Sequence, residues 1–142
     1  MSKPALAFIG GGNMATSLVG GLLDKGYPTN NIIVSDPMQE NRDRLRQQFG
    51  INTTADNLSA ATCADVVILA IKPQVMKPVA KELSSALSHR PLMISIAAGI
   101  PISSLQHWLG EGTPIVRCMP NTPSLVQTGA AGLFANTHVS PE

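Results

Sequence analysis

Charge is scarce in this sequence: only 13% of its 142 residues are Asp, Glu, Lys or Arg, and the formal net charge is +1. No cluster of Lys or Arg stands out, so the electrostatic footprint of a nucleic-acid binder is missing, and nucleic acid is not an expected partner. Cysteine is nearly absent. Cys63 and Cys118 lie far apart with no CxxC pair and no Cys/His spacing, which argues against a disulfide framework and predicts no bound metal. Both fall in apolar stretches where reduced, buried thiols are usual, as in a reducing cytosol. No apolar run approaches the roughly 20 residues that a membrane helix needs, and Met1 to Pro4 is too short for a signal peptide. A soluble, cytoplasmic protein is therefore expected, with no membrane partner. The three histidines, His89, His107 and His138, are widely separated and have no evident partners. Each reads as a surface residue rather than a proton donor, and no residue stands out as a catalytic acid or base.

The chain has, instead, an apolar strand that runs into glycines. Ala5-Leu6-Ala7-Phe8-Ile9 leads to Gly10-Gly11-Gly12-Asn13-Met14-Ala15 and then to a helical pattern. Gly10 lets the backbone turn sharply, and Gly12 leaves no side chain between the main chain and a pyrophosphate. Small Ala15 stands where many such turns have a third glycine, and lets helix and strand pack closely. The helix offers its unpaired first amides and the positive end of its dipole to a diphosphate. A second strand, Ile32-Ile33-Val34-Ser35-Asp36, ends in an acid that can accept hydrogen bonds from a ribose 2′-hydroxyl. Arg42 or Arg44 could swing in to neutralise a 2′-phosphate while Asp36 turns to solvent. Strand, glycine turn, helix and acid together predict a dinucleotide site.

The remainder alternates strands with helices, at a length suited to one domain over residues 1–142. Met14, Leu18 and Leu22 beside Ala15, Val19 and Leu23 form a stripe at helical spacing, closed by Gly26, and Gly20 and Gly21 within it suggest close packing against a neighbour. A polar helix follows with Leu45 and Phe49 as its apolar pair and Gly50 as its stop. Ile51 to Thr54 reads as a short strand, with Asp56 capping a brief helix through Ala61. Asp65 to Ile71 reads as a strand whose residues after Asp65 are continuously apolar, as a parallel strand buried on both faces should be. Lys72-Pro73-Gln74 reads as a loop, with a helix from near Pro78. Leu92 to Ile96 is a fifth strand. Ser103 or Ser104 is the expected cap of a helix with Leu105, Trp108 and Leu109 inward, ended by Gly110. Ile115 to Met119 and Ala131 to Ala135 complete a seven-strand count. The fold class is α/β, a doubly wound Rossmann-type sheet, mainly parallel, with helices on both faces.

Ligands of such sheets bind beyond the carboxyl ends of the strands. Gly10 to Met14, Asp36, Lys72-Pro73, Ala97-Ala98-Gly99 and Met119-Pro120-Asn121 each follow a strand, so one rim gathers them. Lys72 is either a phosphate or ribose contact or an ordinary solvated lysine. Ala97, Ala98 and Gly99 either leave room for a flat ring or ribose, or serve tight helix packing.

Four segments, Gly10 to Ala15, Ala70-Ile71-Lys72-Pro73-Gln74, Ser95 to Ile100 and Arg117-Cys118-Met119-Pro120-Asn121-Thr122-Pro123, closely resemble in order and spacing the N-terminal domain of pyrroline-5-carboxylate reductases. The resemblance covers nearly the whole chain. It implies NADPH- or NADH-dependent reduction of 1-pyrroline-5-carboxylate to L-proline. It also implies that Ile9, Gly10, Gly11, Gly12, Asn13 and Met14 hold the pyrophosphate and that Asp36 and Asn57 lie by the adenosine. Ala70, Ile71, Lys72 and Pro73 with Ala97, Ala98 and Gly99 would line the ribose and nicotinamide side, which Asn121 would approach. The family continues into a C-terminal helical domain that dimerises and binds the substrate; it is absent from these residues, so the full-length protein is expected to be a homo-oligomer and this fragment to be inactive alone. Two rival readings share the cofactor domain: another imine or keto-acid reductase, and a non-catalytic nucleotide-binding module.

Overall fold

The computed structural model describes residues 4–97, 99–110, 112–119 and 132–135. Seven strands form one sheet: β1 (Leu6–Ile9), β2 (Ile32–Ser35), β3 (Asn52–Thr54), β4 (Val66–Leu69), β5 (Leu92–Ser95), β6 (Ile115–Met119) and β7 (Gly132–Ala135). Their spatial order is β3-β2-β1-β4-β5-β6-β7. The first six are parallel, and β7 runs antiparallel to β6, with Cys118 opposite Leu133. The order reverses between β1 and β4, the place where a doubly wound sheet opens a crevice at its carboxyl edge. The α/β class read from the sequence is the fold observed.

Among the described residues, five α-helices connect the strands: α1 (Asn13–Asp24), α2 (Gln39–Phe49), α3 (Asn57–Thr62), α4 (Pro73–Leu83) and α5 (Ile102–Leu109). Successive side chains of a strand point to opposite faces, and β1 divides accordingly. Leu6 and Phe8 join Ala15, Val19, Ile32, Val34, Leu45 and Ile68 in the core under α1 and α2. Ala7 and Ile9 join Val67, Leu69, Met76, Leu83, Met93 and Leu105 in the core under α3, α4 and α5. Burial on both faces is why β1 and β4 read as continuous apolar runs.

Several boundaries differ from the sequence reading. The strand expected over 65–71 is paired only over Val66–Leu69, so Ala70 and Ile71 already belong to the turn. Lys72 and Pro73 do not lie in a loop ahead of a helix near Pro78. Lys72 is the N-cap of α4 and Pro73 its first residue, where the missing N–H costs nothing, and Pro78 sits inside the helix. Ser103 and Ser104 do not cap α5; the helix starts at Ile102 after Pro101, and Trp108 is half-buried at the margin of the core. Cys63 is exposed at the end of α3 rather than buried. The Asp56 cap is as expected, its carboxylate accepting from the Leu58 amide at 3.0 Å. Gly50 ends α2 in the left-handed conformation, φ 71°. Gly20 faces the Phe49 ring of α2, but a Cβ there would lie at an ordinary contact of 3.4 Å, so packing does not require glycine at this position.

Candidate functional site

The turn from β1 to α1 assigns each of its three glycines a different task. Gly10 has φ +106° and donates its N–H to the Ser35 carbonyl at 2.7 Å. A Cβ on it would stand 2.4 Å from the Ala70 carbonyl oxygen, so both conformation and space demand glycine. Gly11 is buried against α2, where a Cβ would meet Leu45 at 3.0 Å, Val34 at 3.2 Å and Asp36 at 3.3 Å. Gly12 is exposed, has an ordinary φ of −80°, and a Cβ on it would meet nothing within 4 Å. Neither strain nor packing requires glycine there. The space its missing side chain leaves is solvent-facing, at the start of α1.

No side chain caps α1. The first intrahelical bond runs from the Thr16 amide to the Gly12 carbonyl at 3.0 Å, with the Thr16 hydroxyl donating to the same oxygen at 2.8 Å. The amides of Gly12, Asn13, Met14 and Ala15 therefore have no partner among the described residues. With no acid in the first turn, the positive end of the helix dipole is open to an anion.

Asp36 follows β2 and is 6% exposed. Its Oδ2 accepts from the Gly11 amide at 2.7 Å and from Asn41 Nδ2 at 3.2 Å, and its Oδ1 accepts from the Met38 amide at 2.8 Å. This carboxylate is fastened to the turn, not poised to swing to solvent. Arg44, an exposed residue, is turned to the same loop: its Nη2 donates to the Gly11 carbonyl at 2.8 Å and to Thr16 Oγ1 at 3.2 Å. Arg42 keeps its Nε buried without a hydrogen bond. Beside Asp36, buried Ser35 donates from its hydroxyl to Asn57 Oδ1 at 2.5 Å, and Asn57 Nδ2 donates to Glu82 at 3.1 Å. Asp36 and Asn57 thus share one corner of the rim. The sequence reading passed over Ser35 and Thr16 and gave Arg44 a different role. Their only local signal is adjacency, with Ser35 before the acid, Thr16 one turn into the helix and Arg44 beside the buried Leu45.

On the other side of Gly10, the Ala70 amide donates to the Ile9 carbonyl at 2.8 Å, which seats the β4 turn against the β1 turn. Exposed Lys72 accepts from the Val75 amide at 3.1 Å through its carbonyl, while its ammonium group makes no hydrogen bond or ion pair with the described residues. Ala97 is buried beside Ser95, and Gly99 has φ +80° with open space at its Cβ position. Ala98, Asn121 and His138 lie outside the described residues. His89 is exposed, its Nε2 2.9 Å from the Ala64 carbonyl, and His107 is exposed on α5, both away from the rim. Burial pushes the Cys118 thiol up, which disfavours the thiolate. No cluster of His, Cys, Asp or Glu fit for a metal ion occurs among the described residues. No helix among them is long and apolar enough to cross a membrane.

Residues 5–99 match the family described as NADP oxidoreductase coenzyme F420-dependent. A pyrroline-5-carboxylate reductase from Pseudomonas aeruginosa is 52% identical over 140 residues, covering 99% of this chain and 51% of that protein. Among solved structures, a pyrroline-5-carboxylate reductase from Coxiella burnetii matches with TM-score 0.92 and 45% identity, over 97% of this chain and 52% of that one. The Plasmodium falciparum pyrroline carboxylate reductase with NADP bound matches with TM-score 0.83 and 28% identity, over 99% and 51%. The chain spans about half the length of the curated relatives it matches.

Proposed function

The chain belongs to the family described as NADP oxidoreductase coenzyme F420-dependent, and on that premise we propose that it is the nucleotide-holding part of a pyrroline-5-carboxylate reductase. The uncapped start of α1 carries this reading. Four amides, from Gly12 to Ala15, have no partner among the described residues, and the Cβ position of Gly12 beside them is open, a donor set suited to a diphosphate. When bound, the reduced nicotinamide would supply a hydride to the C=N carbon of 1-pyrroline-5-carboxylate, whose nitrogen takes up a proton, giving L-proline and the oxidised nicotinamide.

The residues of this chain bind and orient. Ile9 to Met14 hold the diphosphate, while Asp36 and Asn57 bound the adenosine end. Ala70 to Pro73, Ala97 to Gly99 and Asn121 line the ribose and nicotinamide side. Lys72, whose exposed ammonium group has no partner among the described residues, adds a positive charge to that wall. Both NADPH and NADH are accepted in this reading. The substrate carboxylate and imine are held by a C-terminal helical domain, which also makes the full-length protein a homo-oligomer; the relatives' doubled length leaves room for it. The compartment proposed is the cytoplasm.

Titration calorimetry of the 142-residue chain with NADPH and NADH tests the binding part. Binding of both is expected, and binding of neither would end the proposal. A hydride-transfer assay tests the division of labour. Catalysis needs the two reacting carbons held roughly 3 to 3.5 Å apart, an alignment that contributes about 7 to 11 kcal/mol. The chain alone is expected to show no turnover above buffer, and turnover to appear when downstream coding sequence of a relative is fused to it. Turnover by the chain alone at the rate of the fusion would place the substrate site within these residues.

A further inference from the structure

We propose that Asp36 and Arg44 act as a positioning pair that aims the first amide of the diphosphate cradle; the proposal rests on the dinucleotide reading of the glycine turn. The two side chains grip opposite ends of one residue. Asp36 Oδ2 accepts from the Gly11 N–H at 2.7 Å, and Arg44 Nη2 donates to the Gly11 carbonyl at 2.8 Å. The Gly11 carbonyl and the Gly12 N–H belong to the same peptide plane and, in a trans peptide, point in opposite directions. Holding the carbonyl toward the Arg44 guanidinium therefore holds the Gly12 N–H pointing away from it, and Gly12 itself is exposed, with nothing within 4 Å of its Cβ position.

The pair answers a need that the turn itself creates. Three consecutive glycines leave the Gly11–Gly12 peptide without steric guidance, since each can adopt both signs of φ at little cost. An amide that must be aimed at the moment of binding weakens the complex by the freedom it loses, whereas one fixed beforehand does not. Arg44 also donates to Thr16 Oγ1 at 3.2 Å, and Thr16 in turn donates to the Gly12 carbonyl at 2.8 Å, so the next peptide plane is tied into the same set. Asp36 is well placed for its part: 6% exposed, with three donors on its two oxygens, it has little lone-pair capacity left for a ribose. No ion pair within 4 Å joins Asp36 and Arg44, so the Gly11 backbone is what links the two charges.

The pair makes a different prediction from a ribose or 2′-phosphate reader. In Arg44→Met, which keeps the stem and removes the donors, affinity for NADPH and for NADH should fall by the same factor, about tenfold, the scale of one charge-assisted hydrogen bond. The Gly12 amide resonance in a proton–nitrogen correlation spectrum should shift or broaden while the rest of the spectrum stays dispersed. In Asp36→Asn, which places an amide donor among the Gly11, Met38 and Asn41 donors, both affinities should again fall together. A fall confined to NADPH in Arg44→Met would make Arg44 a 2′-phosphate contact and overturn the proposal. So would weaker NADH but stronger NADPH binding in Asp36→Asn, the mark of a ribose reader, or unchanged affinities at a lowered melting temperature, the mark of a merely structural bond. A wild-type chain that binds neither nucleotide would remove the dinucleotide reading and this proposal with it.

Discussion

Two turns lie side by side at the centre of the rim, one after β1 and one after β4, and they solve the same problem in opposite ways. Both lead from a buried parallel strand into a helix whose first turn has no side-chain cap. The β1 turn is all glycine, so what it offers a ligand is main chain: amides, a dipole and space. The β4 turn, Ala70-Ile71-Lys72-Pro73, has no glycine and begins its helix with proline, which has no amide to offer. What it offers is a side chain, the exposed Lys72. The two depend on each other, because the Ala70 carbonyl lies where a Gly10 Cβ would stand. One turn is shaped by what must be left out and the other by what is put in.

Substitutions can break this contrast in order of size. The largest effect is expected from Gly10→Ala, which combines a φ of +106° with a 2.4 Å approach to the Ala70 carbonyl. A loss of about 3 kcal/mol or more is expected in urea unfolding. Near wild-type stability would mean that the two turns can separate freely. Gly12→Val should do the reverse, leaving stability within about 1 kcal/mol because φ is −80° and the Cβ has open space. It should nevertheless abolish NADPH and NADH binding, since the side chain fills the place of the diphosphate. Calorimetry showing equal affinities for Gly12→Val and wild type would move the ligand elsewhere.

Smaller effects sharpen the comparison. Lys72→Gln should leave melting unchanged and weaken either nucleotide by about two- to fivefold, as expected of one exposed charge. That difference should shrink as salt is raised; a salt-independent loss would point to a buried contact instead. Gly20→Ala, on α1 but away from the rim, serves as the control. Its Cβ would make an ordinary 3.4 Å contact with Phe49, and the gain in helix propensity should stabilise the chain by about 0.5 to 1 kcal/mol. Nucleotide affinity should not change, and a drop would mean that the packing of α1 on α2 reaches the turn.

The β1 turn was the more legible of the two in the sequence, for a physical reason. A triple glycine between an apolar strand and an amphipathic stripe has few explanations, since glycine is costly wherever its freedom is not used. The β4 turn misled at Pro73, because proline disfavours a helix before it but is welcome as a helix's first residue. The two cases look alike from local sequence. Ser103 and Ser104 misled similarly: a serine near a helix start is a natural cap, yet the N-cap of α5 is Pro101, ahead of both. Capping preference is worth about 1 kcal/mol, too little to fix a boundary against the packing of Leu105 and Leu109.

The sequence by itself determined the alternation of buried strands and helices, the α/β class and the place of Gly10 to Met14, Asp36 and Lys72-Pro73 just beyond the ends of parallel strands. Those depend on apolar periodicity and on glycine's conformational freedom, which are local properties. It also placed Asp36 at the end of the second strand. Only the tertiary structure decided what that acid touches. The sequence reading had Asp36 facing a ribose and Arg42 or Arg44 swinging toward a phosphate, whereas in the fold Asp36 and Arg44 hold the N–H and the carbonyl of Gly11 from 25 and 33 residues away. Hydrogen bonds of that span exist because β2 pairs beside β1 and Leu45 buries α2 against the turn, and no local pattern encodes which donor then comes within reach of which acceptor.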